Sequence, residues 1–209
     1  MAATARSRSH GIRRWLLPAA AAALALVPLA PARADTFLDQ ANQAAAATPG
    51  TKPAHDILMP ALAAMTEPPV LTGWTRDDLL TLLMAAPGEP EWTALEQWAA
   101  AEPQQAALKA LEEITKGEDK FIIGFGYGRD AVPQEWVDAE LFVDLNDEGL
   151  LYSATFPYLK RMGWLVGLAL FDSARAASAG EGDLAVDRSL QSFRLGRILL
   201  ERPYLRETL

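Results

Sequence analysis

The sequence contains no cysteine and only two histidines, His10 and His55. Without cysteine, a disulfide framework, a thiolate metal site and a cysteine nucleophile are all impossible. His10 lies in an N-terminal segment that we expect to be removed, so a multi-histidine zinc site is excluded as well. We therefore expect a fold that is held together by packing alone and that has no cofactor.

Basic residues are scarce, with 19 lysines and arginines against 27 aspartates and glutamates, a formal net charge of −8 at pH 7. Five of the arginines lie in residues 1–34, which contain no acid, so residues 35–209 carry a net charge of −13. A chain this acidic repels phosphate backbones, which excludes nucleic acid as a partner. Residues 156–209 differ, with 8 basic and 6 acidic side chains. This uneven distribution of charge either serves solubility alone or gives the C-terminal part a mildly basic face for an acidic partner.

Long apolar runs are also rare, and the most prominent one spans residues 15–30. Arginines precede this run, and Ala32-Arg33-Ala34 follows it, the small-x-small pattern after which a signal peptidase cuts. The sequence predicts a signal peptide over residues 1–34, cleaved after Ala34, and a protein that is periplasmic or secreted.

Two alternatives to a cleaved secretory signal stay open. The apolar run could be an uncleaved anchor, but its 16 residues include Pro18 and Pro28 and fall short of the roughly 20 that span a bilayer. Arg13-Arg14 faintly resembles a twin-arginine signal, although Ile12 precedes the pair where Ser or Thr is expected. We favour the general secretory route, with no membrane span after cleavage.

Residues 35–209 are rich in Ala and Leu, and proline and glycine divide them into segments with helical spacing of apolar residues. The pattern predicts a single all-α domain, an antiparallel array of helical hairpins. The strongest signal is the last hairpin, residues 152–201. The expected helices cover residues 35–48, 53–66, the stretch between Thr75 and Pro87, 90–101, 103–116, 152–178 and 184–201, with a brief helix after Pro133.

Residues 119–130 break the helical pattern. Phe121, Ile123, Phe125 and Tyr127 alternate with glycines, and a period of two is typical of a strand. Because a lone strand has nothing to pair with, we predict an ordered loop or short extended segment laid across the helices. The spacing of the glycines is not that of a phosphate-binding loop.

Five residues are candidates for an interaction surface. Phe125 and Tyr127 are expected to be exposed beside Arg129, which makes this segment the best location for a ligand site. Arg194 and Arg197 lie three positions apart on the last full helix and therefore share a face. That face is either a solvated helix surface or a stripe that contacts a partner.

Residues 144–149 begin like a calcium loop, with oxygen-bearing side chains at loop positions one, three and five and glycine at six. The bidentate carboxylate required at position twelve is absent, because that residue is Thr155. The motif predicts an acidic turn between two elements, and calcium binding stays open.

Other polar and aromatic residues are expected to be structural. His55 adjoins Asp56, but adjacent helix residues point about 100° apart, so the two do not naturally pair as a catalytic base and its carboxylate. We expect a surface or cap-region histidine. Arg188 is expected on the solvated surface of the last helix, and most of the tryptophans in the core.

The C-terminal 60 residues carry several short motifs: Phe156-Pro157-Tyr158-Leu159 opens a helix, Ala174 and Ala177 lie near its end, Gly182-Asp183 marks a turn, and Phe193-Arg194-Leu195-Gly196-Arg197 and Pro203 follow. In these motifs the chain resembles a family of uncharacterised exported bacterial proteins built from tetratricopeptide-like helical hairpins. Asp187 stands where the repeat has a small residue, so the resemblance implies an irregular array. It implies a fold and no activity.

Two functions remain from the sequence. The first is a binding or scaffold protein of the cell envelope, whose partner is another envelope protein. The alternative is a carboxylate-dependent hydrolase that acts on an envelope component. The poverty of catalytic residue types favours the binding protein over an enzyme. A cleft with two facing carboxylates would favour the hydrolase, and the oligomeric state stays open.

Overall fold

A computed structural model of the chain describes residues 31–46, 49–70, 85–146 and 153–201. Within them the chain is mostly helical, which confirms the all-α prediction. The helices are α1 (Pro31–Ala46), α2 (Ala54–Ala64), α3 (Pro90–Ala99), α4 (Glu102–Thr115), α5 (Gln134–Asp138), α6 (Tyr158–Ser178) and α7 (Gly182–Leu200), with strands β1 (Lys52–Pro53) and β2 (Phe121–Ile122) and a 3₁₀ turn (Arg129–Ala131).

Proline and glycine set the helix ends where the sequence predicts them. Pro90 and Pro103 lie in the first turns of α3 and α4, where a backbone N–H would have no acceptor within the helix and proline's lack of one costs nothing. Gly180 adopts a φ of +82° just after α6, a conformation that favours glycine, and its amide bonds to the carbonyl of Ala177. The hairpin predicted over residues 152–201 begins later, at α6, because Thr155 pairs with another segment instead of entering the helix.

Helix α6 is the centre of the molecule. It packs against α7 over most of its length and also contacts α2, α3 and α4. Tyr158, Leu165 and Phe171 on α6 are completely buried. The tryptophans that the structure describes are buried as predicted, at positions 92, 98, 136 and 164. Burial of this kind supplies most of the stabilisation in a chain without disulfides.

A two-stranded parallel pairing joins the N-terminal part of the chain to the aromatic segment (residues 121–127). Lys52 pairs with Phe121 and Pro53 with Ile122, and the Lys52 N–H donates to the carbonyl of Lys120 at 2.8 Å. The expectation that a strand here would have no partner is wrong. The extended backbone of Pro53, immediately before α2, provides that partner.

Close approach of backbones holds the aromatic segment against α1. A Cβ on Gly124 would collide with the carbonyl oxygen of Ala45, and one on Gly126 would lie 2.6 Å from the Cβ of Ala131. The Tyr127 N–H donates to Asn42 Oδ1 at 2.6 Å. The glycines therefore serve packing, which explains their spacing without a ligand.

Several predicted elements fall outside the described residues. These are residues 1–30 of the predicted signal peptide, most of the helix predicted between Thr75 and Pro87, residues 147–149 of the acidic turn, residue 152 at the start of the predicted hairpin, and Pro203. Ala32-Arg33-Ala34 lies in the first turns of α1. Among the helices that the structure describes, none combines the length and the apolar character needed to cross a bilayer.

Candidate functional site

The aromatic segment does not present the exposed rings expected of it. Phe125 is 4% exposed and Tyr127 is 3% exposed, so the prediction that they are surface aromatics is wrong. The Phe125 ring meets the rings of His55, Trp136 and Tyr158 edge-on, with centroids 5.2–6.2 Å apart. These rings point inward because the glycines between them allow the backbone of the segment to pack closely against the core.

Arg129 is the part of this candidate site that stays at the surface. Its guanidinium donates to Asp144 Oδ2 at 2.7 Å and lies 4.9 Å from the centre of the Phe142 ring. This hydrogen bond holds the pKa of Asp144 below its usual value, and the N–H of Asn146 lowers it further. Both residues line a cleft of about 820 Å³ between α1, the 3₁₀ turn and residues 144–146.

The ends of the calcium-like segment pair with each other. The N–H and carbonyl of Asp144 exchange hydrogen bonds of 2.8 and 2.9 Å with Thr155. Each oxygen of the Asp144 carboxylate accepts a hydrogen bond, one from Arg129 and one from the N–H of Asn146. The carboxylate of Asp144, which would be the first calcium ligand, is thus already paired with the Arg129 cation. In the described part of the chain, no cluster of three or more His, Asp or Glu side chains is arranged to hold a metal.

His55 is a packed histidine in the first turn of α2. Its Nδ1 accepts the N–H of Gly124 at 3.3 Å, which assigns the ring proton of the neutral form to Nε2. Its Nε2 lies 3.7 Å from Asp56 Oδ1, beyond hydrogen-bond distance. The side chain is 18% exposed and supports the backbone of the aromatic segment.

Arg188 is not on the solvated surface, contrary to prediction. Its side chain is 13% exposed and bonds to Asp172 at 2.9 Å, to Gln191 at 2.9 Å and to Glu112 at 3.4 Å. The other Asp172 oxygen accepts two hydrogen bonds from Arg175, at 2.7 and 3.1 Å. This buried ion network joins α4, α6 and α7, and it accounts for the charge on Asp172, which is only 4% exposed.

Glu112 belongs to the same network at its exposed edge. A hydrogen bond from Lys116 is the main cause that holds the pKa of Glu112 below its usual value, and the charges of Lys116 and Arg188 act in the same direction. Both carboxylates of this network are paired with cations, as a structural role requires.

The outward face of α7 carries an exposed apolar row, which we call the outer stripe. Its spacing of four, three and seven residues places its members on one side of the helix. The opposite side of α7 packs against α6 and includes the buried Leu195 and Ile198. The outer stripe consists of Val186, Leu190, Phe193 and Leu200, with exposures of 59%, 45%, 76% and 54%.

A second cleft, of about 970 Å³, lies between the end of α4, β2 and α7. We call it the basic cleft, because Lys120, Arg194 and Arg197 line it. The two arginines share one face of α7, as predicted, and Arg197 donates to Glu201 at 3.2 Å. Arg194 donates to the carbonyl of Thr115 at 2.6 Å. The candidate residues therefore fall in two places, with Arg129 in the first cleft and the arginines of α7 in the second.

Sequence reasoning missed the outer stripe and the ion network. Leu190 and Phe193 belong to the apolar pattern of α7, yet they lie on the side away from α6. The signal that could have distinguished these exposed residues from the buried ones is that they form a second apolar row on α7, distinct from that of Leu195 and Ile198. The partner of Arg188, Asp172, is 16 positions away on another helix, and no local pattern links the two.

Comparisons of the chain with protein-family models, with curated proteins and with solved structures find no match.

Proposed function

We propose that the protein is an exported α-helical binding protein of the cell envelope, and that the outer stripe contacts another envelope protein. The observation that carries this proposal is the exposure of Phe193, 76%, on a helix whose other side is fully packed. An aromatic ring left in water between further apolar side chains loses free energy that a partner could recover.

The surroundings of the outer stripe fit a protein interface. Charged side chains adjoin it, including Arg197 on α7 and Glu201 just after it, and both are exposed. An apolar centre with a polar rim is the usual composition of such contacts. The tetratricopeptide-like character of the α6–α7 hairpin is part of the proposal, since hairpins of that kind bind partners through helix faces.

The export of the protein rests on the signal-like residues 1–34. The hydrolase alternative requires a carboxyl group that keeps its proton near neutral pH and can act as general acid. The pKa values of Glu112 and Asp144 are instead both lowered by neighbouring cations. Neither Glu112 nor Asp144 is therefore suited to act as that general acid.

Site-specific photo-cross-linking in living cells tests the proposal. The full chain would carry a photoreactive phenylalanine analogue in place of Phe193 or, as a matched control on the same helix, in place of the exposed Asp187. We expect one reproducible adduct in the envelope fraction from position 193, and none of that size from position 187.

Two results would contradict the proposal. One is an adduct pattern that is the same at both positions, which would indicate random collision. The other is cross-linking only to cytoplasmic proteins, with an uncleaved N-terminus. An N-terminal sequence that starts at Asp35 in the envelope fraction would support both the cleavage and the localisation.

A further inference from the structure

The basic cleft has features that the outer stripe does not share. Its lining combines three apolar side chains that are almost fully buried with cations that are exposed. Ile114, Phe121 and Ile198 line the cleft with exposures of 2%, 8% and 8%, and the half-buried Ile122 is its more accessible apolar side chain. A cleft of this composition can hold an apolar group and a negative charge side by side.

The charges around the cleft do not cancel. Asp119 pairs with Lys52 at 2.6 Å, and Glu201 pairs with Arg197 at 3.2 Å. Within the described ranges, Lys120 and Arg194 have no carboxylate within ion-pair distance. Among the described residues, the cleft therefore holds two positive charges without an ion-pair partner, in a chain whose net charge is −8.

Arg194 is held in place by the C-terminal end of α4. Its Nη1 donates to the carbonyl of Thr115, the last residue of α4, at 2.6 Å. The partial negative charge at a helix C-terminus attracts a cation, so this contact holds the guanidinium in position. A guanidinium has five N–H donors, and one carbonyl leaves most of them available. Planar donors held in place suit a carboxylate, which they can bind with two parallel hydrogen bonds.

We propose that the basic cleft binds an acidic peptide segment in which carboxylates alternate with apolar side chains. Arg194 and Lys120 bind the carboxylates, and the half-buried Ile122, with the edges of Phe121 and Ile198 beside it, takes the apolar side chains. A peptide is favoured over an anionic lipid surface because the rest of this acidic chain would be repelled by a negatively charged bilayer.

This site is separate from the proposed contact through the outer stripe. It depends on Lys120 and Arg194, neither of which belongs to that stripe. Failure of the unmodified chain to bind the peptide, with the cross-link at position 193 still formed, would overturn the present inference alone.

The test uses the full chain and a fluorescein-labelled synthetic peptide that alternates glutamate and leucine. A second peptide, with glutamine in place of glutamate, has the same length and apolar content but no charge. We expect the glutamate peptide to bind at least about tenfold more tightly in fluorescence polarisation. We also expect its affinity to fall as sodium chloride is added, because salt screens the charges.

Matched variants locate the binding. Arg194→Gln and Lys120→Gln should each weaken the affinity for the glutamate peptide by about tenfold. The control is Lys109→Gln, which removes the same charge from an exposed position on α4 that does not line the cleft. Its affinity should equal that of the unmodified chain. Lys120→Gln is informative even if Arg194→Gln does not fold, since the Lys120 side chain has no hydrogen bond in the described structure.

Three outcomes would overturn the inference. The first is equal affinity for the glutamate and glutamine peptides. The second is a loss of affinity in Lys109→Gln as large as in the cleft variants. The third is binding to phosphatidylglycerol vesicles, but not to the peptide, that depends on Lys120 and Arg194, which would identify a membrane surface as the ligand.

Discussion

The aromatic segment and the outer stripe carry similar side chains in opposite environments. Phe125, in the first, is 4% exposed, whereas Phe193, in the second, is 76% exposed. Phe125 contacts the rings of three other residues, and it comes from a stretch that alternates with glycine. Phe193 comes from a regular helix with an apolar row on each of two sides.

The difference shows that backbone approach, more than side-chain type, decides which aromatic residue is buried. Gly124 allows the chain to lie against the carbonyl of Ala45, so the rings beside it enter the core. A helix cannot flatten in this way, and in the described part of the chain α7 contacts α6, α4 and β2 while its outer side stays uncovered. An apolar residue on its other side therefore stays exposed in the described structure.

The largest expected effect comes from the same substitution in both regions. Phe125→Ala should lower the free energy of unfolding by about 3–5 kcal/mol, because it leaves a cavity among packed rings. Phe193→Ala should change it by no more than about 0.5 kcal/mol, since the ring is already in water. Urea unfolding followed by circular dichroism measures both. Equal effects would mean that Phe193 is buried in solution, for instance against a second copy of the chain.

A pair of glycine substitutions should differ in sign. Gly124→Ala would drive a methyl group into the carbonyl oxygen of Ala45 and should cost about 1–3 kcal/mol. Gly196→Ala, inside α7, meets no atom within 4 Å and should stabilise the protein by about 0.5–1 kcal/mol. The measurement is the midpoint of thermal unfolding. A Gly124→Ala variant as stable as the parent would show that the segment does not press on α1.

The smallest effect concerns the ion pair between Arg129 and Asp144, at the surface beside the aromatic segment. The pKa of Asp144 is lowered in the folded state by Arg129, so the stability that this carboxylate contributes is complete above its unfolded value, near 3.8. That contribution is lost as the pH falls through the lower folded value. Arg129 is exposed, so the expected contribution is under about 1 kcal/mol.

Urea unfolding between pH 7 and pH 2 would measure this contribution. Asp144→Asn should make stability fall less steeply in the acid range, and Arg129→Gln should have the same effect. The double variant should add nothing further, because the two residues form one pair. Additive effects would mean that another group near Asp144 titrates instead.

The sequence predicted best what local chemistry controls. Pro90 and Pro103 begin helices because of the geometry of their own rings, and Gly180 ends one because of its own φ. Such signals act within one helical turn, so they can be recognised without knowing the fold. The positions of the helices followed from them.

The sequence could not predict contacts between distant segments. The pairing of Lys52 with Phe121 and the bond between Asp172 and Arg188 depend on how the helices are arranged. The exposure of Phe193 depends on which side of α7 receives a neighbour. The sequence therefore suggested the wrong aromatic residues for a surface, although it identified Arg194 and Arg197 as a pair on one face.

The buried ion network has a consequence for the rotational setting of α7. Turning the helix by one residue rotates it by about 100° and would leave Arg188 and Asp172 without each other in a nearly dry interior. Apolar side chains tolerate such a shift far better, because they have no fixed partner atoms. Arg188 lies on the side of α7 opposite Val186 and Leu190. The buried ion pair between Arg188 and Asp172 thus fixes the rotation of α7 against α6 and keeps the outer stripe turned toward water.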